Sequence, residues 1–326
     1  MSQVPRASHC PGEGNTQYAR SDYWHPPNVE TAVCVHYANS QARSTAIARK
    51  ADTTHRMEPI MERRAFVASS TLGAVGLASS TLAPVASLFP EPRSAPSATR
   101  KILIAGGNFN DVYIRYMATL IGKPRPRLCY LPTASADNPT GIIKWYEDCS
   151  AADVVPFVQK SFISSYTQSQ SFAEVLLSMD GIVASGGSTL NQQVIWKAQG
   201  IDEVLREAWN RGIVLGGASA GGLCWFEEGT TDSRPKELST VQCLGFLKGS
   251  HSAHYDKEAP RRPLYLKLVG SGGLKPGYAC DNDAGIYFEG TDVRRVVTTR
   301  AGAKVYYVSR SGDTAVEKLM EPELIT

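Results

Sequence analysis

The amino-acid sequence predicts an α/β fold with a mostly parallel sheet. Three observations carry that expectation. Between Lys101 and Phe226, short apolar runs alternate with stretches of helical spacing, the pattern of repeated β-α-β units rather than of hairpins. Two of those runs pass into glycine-rich turns, at Ser185–Thr189 and Gly216–Gly221. The second turn, Gly217-Ala218-Ser219-Ala220-Gly221, has the spacing of a nucleophile elbow between strand and helix.

Taken in order, Lys101–Ala105 is an apolar run closed by Gly106-Gly107 and reads as a buried strand. Val112–Ile121 has helical spacing, Arg127–Leu131 is the next strand, and Pro132 stops it. A helix is expected over Thr140–Ala152 and a strand, or its edge, over Val154–Phe157. Phe172–Ser178 is helical, and Gly181–Ala184 is a strand running into Ser185-Gly186-Gly187. Leu190–Gln199 and Ile201–Asn210 are helical, Ile213–Leu215 is a strand, and Gly222–Phe226 follows the elbow as a helix. The last third adds a helix at Arg262–Val269 and strand-like runs at Gly285–Phe288, Arg294–Thr299 and Lys304–Val308.

The first hundred residues differ in kind. Residues 1–60 hold four of the six histidines, lack apolar periodicity, and read as a disordered extension or as an upstream over-extension of the reading frame. From Met61, Arg63-Arg64-Ala65-Phe66-Val67 heads an uncharged Ala/Gly/Leu stretch that ends in Pro84-Val85-Ala86 before Ser87. That is the layout of a twin-arginine-like export signal over residues 61–87. The expectation is an exported protein, periplasmic or extracellular, with translation starting at Met61 and no stable membrane span after signal removal. A cytoplasmic protein is the alternative. Peptides from residues 1–60 in mass spectra of the native protein would contradict that start. Residues 88–100, with three prolines, form a linker, and the catalytic domain runs over residues 101–326.

Composition excludes several functions. A net charge of +3 with no basic run gives no ground for nucleic-acid binding. The seven cysteines form no Cys-x-x-Cys pair, so zinc-ribbon and thioredoxin-type sites are not expected. Gly106-Gly107 does not continue as Gly-x-Gly-x-x-Gly, which argues against a dinucleotide. No cofactor and no metal is expected.

The chemistry is concentrated around Ser219. An elbow exposes a serine hydroxyl at a helix N-terminus, where free N–H groups meet an oxyanion. A serine needs a base, and the catalytic domain offers His251 and His254. Asp232, Asp256, Asp281 and Asp283 are candidates for the group that orients it. The turn at Gly186-Gly187 follows a neighbouring strand and is placed to supply a second oxyanion donor.

Five segments in order, Gly186-Gly187-Ser188-Thr189-Leu190-Asn191-Gln192, the elbow, Thr230-Thr231-Asp232-Ser233, Leu244-Gly245-Phe246-Leu247 and Ala253-His254-Tyr255-Asp256, resemble the peptidase E family of serine peptidases, which includes aspartyl dipeptidases and cyanophycinases. The resemblance covers residues 101–310. It implies a flavodoxin-like three-layer sandwich similar to the class I glutamine amidotransferase core. It also implies Ser219 as nucleophile, His254 as base, Asp232 as orienting acid, and Gly187 and Ala220 as oxyanion donors. The family's usual Gly-Gly-Asn-Thr is replaced here by a serine at Ser188. The implied substrate is a short peptide, above all a dipeptide with N-terminal Asp. Ser188, Thr189, Arg261 and Arg262 are the candidates to bind it, the two arginines because a guanidinium matches a carboxylate. The rival expectations are a cyanophycinase-like hydrolase and a non-catalytic secreted binding module on the same fold.

Overall fold

A computed structural model describes residues 98–162 and 165–326. The expected extension, export signal and most of the linker lie outside the described residues. Strands β1 (Lys101–Ala105), β2 (Arg127–Leu131), β3 (Val155–Val158), β4 (Gly181–Ala184) and β5 (Val214–Ala218) run parallel in the spatial order β3-β2-β4-β5-β1. This is the doubly wound order 2-1-3-4-5 with the chain's first strand in the fifth place.

Helices cover both faces. Alternation along β1 sends Ile102 and Ile104 to one side and Leu103 and Ala105 to the other. The second side buries Tyr113, Ile114 and Met117 of α1 (Asp111–Ile121) and Trp145 and Cys149 of α2 (Pro139–Ser150). The first side buries Leu176 of α3 (Phe172–Leu176), Trp196 of α4 (Thr189–Gln199), and Leu205 and Trp209 of α5 (Ile201–Asn210). Local chemistry sets the helix ends. Asn110 caps α1 and Gly122 closes it at φ +71°. Ser171 and Glu174 form a capping box on α3.

After the four-residue helix α6 (Ala220–Leu223) the chain leaves this sheet. Strands β6 (Glu228–Thr231), β7 (Ser239–Gln242) and β8 (Ser250–Ser252), then α7 (Arg261–Ser271) and β9 (Gly277–Cys280), begin a second sheet. It returns through β10 (Ala284–Glu289), antiparallel to β1, and β11 (Asp292–Thr298). Strands β12 (Val305–Ser311) and β13 (Thr314–Met320) complete the second sheet, in the order β13-β12-β9-β8-β6-β7. The short β14 (Glu323–Leu324) joins β11.

The expected parallel sheet and its helices are present within a residue or a few of their predicted bounds. The second sheet is the difference, since only β12 was expected among its strands. All three residues of β8, Ser250, His251 and Ser252, are buried, and β6 buries Thr230 and Thr231. Strands that bury hydroxyls and an imidazole carry no apolar alternation to detect. Among the described residues no helix is long and apolar enough to cross a membrane. Cys129, Cys149, Cys224, Cys243 and Cys280 are unpaired thiols, and burial pushes those of Cys129, Cys149 and Cys243 up to about 12.

Candidate active site

Ser219 stands where β5 turns into α6, at φ +56°. A side chain held in that backbone region costs about 1–3 kcal/mol, which its surroundings must supply. Here the neighbouring strands clamp the turn. The Ser219 N–H donates to Ala105 O at 3.1 Å. Gly217 sits at φ +146°, and a Cβ there would stand 2.5 Å from Ala184 O. At Gly221 the same carbonyl would be 2.0 Å away. The small residues of the elbow are therefore a packing requirement as well as a conformational one.

His254 follows β8 and leans across to the main sheet. Its backbone, at φ +53°, donates to Gly106 O at 3.0 Å. Its Nε2 lies 2.8 Å from Ser219 Oγ, and its Nδ1 lies 2.7 Å from Asn282 Oδ1. With Nδ1–H donating to that amide oxygen, the lone pair of Nε2 faces the serine hydroxyl.

Asn282 occupies the link between β9 and β10, where the chain crosses from one sheet to the other. Its N–H donates to Asp256 Oδ1 at 2.7 Å, and its carbonyl accepts from Arg300 Nη2 at 3.0 Å. Arg300 also donates to Asp256 Oδ2 at 2.8 Å and to Asp283 Oδ2 at 3.0 Å. Two carboxylates thus hold one guanidinium, which grips the backbone of the asparagine. The Gly106-Gly107 turn makes room for this link. A Cβ on Gly106 would meet Asp281 O at 2.4 Å, and one on Gly107 would meet Asn282 Cγ at 2.7 Å.

The structure corrects several expected roles. Asp232 does not reach His254. The register Gly229↔His251 of parallel β6 and β8 sets the two residues at matching strand ends, but the Asp232 side chain is 62% exposed and lies 3.6 Å from Arg261. Arg261 is buried and donates to Thr230 O at 3.0 Å and Glu258 Oε2 at 2.7 Å. Arg262 pairs with Glu317 at 2.6 Å over the rings of Tyr255 and Tyr306. Both arginines are spent on fixing α7, and neither lines the cavity at Ser219. Ser188 Oγ accepts from Asn191 N at 3.3 Å as the cap of α4, and Thr189 is buried beneath it. His251 is a core residue. Its Nδ1 donates to Tyr278 O at 3.0 Å, its ring stacks on Phe226, and burial pushes its pKa down to about 3.

Ala220 follows Ser219 in the elbow, and the turn that holds Gly187 lies against it. A Cβ on Gly186 would lie 3.4 Å from Ser219 Cβ, so the Gly186-Gly187 turn abuts the elbow. Ser188 N–H is used by Ala134 O at 2.8 Å, whereas Gly187 and Ala220 donate no backbone bond of this kind. Asn282 was missed because an orienting acid was sought. The signal was present as a polar Asp281-Asn282-Asp283 triplet entering an apolar strand.

Ser219 and His254 line a cavity of about 320 Å³. Its floor is Val183, Ala184 and Ala218, and Tyr130 and Trp145, stacked at 5.3 Å, form one wall. Among the described residues no group of three His, Cys, Asp or Glu side chains converges as a metal site.

Comparisons with known proteins give the same direction. The sequence profile of Peptidase family S51 matches residues 102–296. A Bacillus subtilis (strain 168) protein named "Uncharacterized peptidase YgaJ" is 40% identical over 213 residues, which is 64% of this chain and 90% of that protein. The crystal structure of a peptidase from an acI-B1 Actinobacterium aligns with TM-score 0.56 over 70% of this chain and 96% of that one, at 16% identity, a likeness of fold.

Proposed function

The chain belongs to peptidase family S51, the peptidase E family of serine-type peptidases, and from that premise we propose that it hydrolyses short peptides, dipeptides with N-terminal Asp above all, through Ser219, His254 and Asn282. The observation that carries this reading is the 2.8 Å contact of His254 Nε2 with a serine Oγ on a strained elbow that lines a cavity.

In the acylation step His254 Nε2 takes the hydroxyl proton as Ser219 Oγ bonds to the peptide carbonyl carbon. The carbonyl oxygen becomes an oxyanion, received by the N–H groups of Ala220 and Gly187. The C–N bond then breaks, and His254 returns its proton to the leaving amine. Water adds to the acyl-enzyme by the same route, releasing the acid and restoring Ser219. Asn282 holds the imidazole in the tautomer that leaves Nε2 free. Being neutral, it orients the ring without adding a counter-charge to the imidazolium.

Labelling with a fluorophosphonate probe tests the nucleophile. The wild-type protein is expected to label, and Ser219→Ala to lose both labelling and Asp-Leu hydrolysis, the latter by about 10⁴-fold or more. Folded wild-type protein that takes no label would overturn the assignment.

A further inference from the structure

Of all the described residues that line the Ser219 cavity, two carry a full charge apart from the titratable His254. These are Lys144 and Asp148, on one face of α2 beside Trp145. They pair with each other, Lys144 Nζ to Asp148 Oδ1 at 2.5 Å. The carboxylate is mostly buried and the ammonium exposed. A half-exposed i,i+4 pair is weakly held, so either partner is released cheaply when a better one arrives. The arginines expected to bind an acidic side chain are committed elsewhere, which leaves Lys144 as the cation of this cavity.

An N-terminal aspartyl residue carries an ammonium and a carboxylate a few bonds apart. The resting pair presents the complementary charges, one of each sign, one turn apart on α2. We propose that Lys144 and Asp148 are the specificity pair of the enzyme: Lys144 takes the side-chain carboxylate of a free N-terminal acidic residue, and Asp148 takes its α-ammonium. This rests on Ser219 being the nucleophile, because it places the residue on the acyl side of the cut in that cavity. On binding, the protein pair opens and two mixed pairs form, so no charge is left alone. A substrate with an apolar first residue leaves Lys144 without a partner when Asp148 turns to the amine. A substrate with a blocked amine leaves Asp148 unpaired when Lys144 turns to the carboxylate. The second loss is the costlier, because it falls on the mostly buried Asp148 carboxylate, where an unmade charged hydrogen bond is expensive, whereas the Lys144 ammonium is exposed.

Calorimetric titration of the full chain carrying Ser219→Ala separates this from the chemistry. The probes are L-aspartate, succinate (no ammonium) and L-alanine (no side-chain carboxylate). Aspartate is expected to bind most tightly. Adding Lys144→Met or Asp148→Asn should weaken it by about 10- to 100-fold, the range of one charge-assisted hydrogen bond. Succinate should be sensitive to Lys144→Met alone, alanine to Asp148→Asn alone, and Lys144→Arg should restore aspartate binding. Aspartate affinity unchanged in both variants, or no aspartate binding by the parent, overturns the specificity pair. Fluorophosphonate labelling of the wild-type protein reports on the nucleophile separately, so normal labelling with either of those outcomes sinks the pair and leaves Ser219 standing.

Discussion

At Asn282 a neutral amide faces the imidazole where a carboxylate was expected. The difference has a kinetic signature. If His254 is the base, Asn282→Ala should lower kcat by about a hundredfold or more, since the ring loses its tautomer-fixing partner. Asn282→Asp, which can accept the same Nδ1–H bond, should keep most of that rate. Steady-state kinetics of both variants check this, and an unchanged kcat in Asn282→Ala would remove Asn282 from the machinery. The sequence pointed to the serine and, through the resemblance, to the histidine that meets it at 2.8 Å, because both stand in distinctive local contexts. It did not point to Asn282, whose 2.7 Å contact with His254 spans 28 residues of chain and arises only from the crossing between sheets.

The elbow shows how one element is specified by its neighbours. Its glycines are read from sequence as a tight turn, but the carbonyl that forbids a side chain belongs to β4. Gly217→Ala would combine a φ of +146° with a Cβ 2.5 Å from Ala184 O. A loss of about 3 kcal/mol or more is expected, visible as a lower urea midpoint together with lost fluorophosphonate labelling. The parallel strands were legible because each is a continuous apolar run between helical segments. Strands β6 and β8 were not, because their buried side chains are largely polar, as in the 2.8 Å bond from Thr230 to Ser252. The same blindness explains Asp232. In sequence it is a free acid next to a threonine pair, and only the second sheet shows that it turns outward to Arg261.

Across the whole molecule the second sheet carries a titration that stability must follow. His251 is neutral in its buried place, with a pKa pushed from 6.5 down to about 3 by burial first of all. The unfolded chain takes up a proton there below about pH 6.5 and the folded chain does not until about pH 3. Stability from this group is thus complete above pH 6.5 and falls as pH drops, by up to about 1.4 kcal/mol per unit. Urea midpoints at pH 7 and pH 5 should show the fall, and His251→Phe should show a shallower one. The active site owes its position to the same architecture. Ser219 comes from the carboxyl end of the main sheet, His254 from the second sheet, and Asn282 from the link between them. The sequence by itself determined the parallel core and the elbow with its serine, because period and turn chemistry are properties of adjacent residues. Only the tertiary structure decided which polar groups face the histidine and which charges face the cavity. Those choices depend on the distances between strands that the chain visits far apart, and on which arginines the fold consumes to hold itself together.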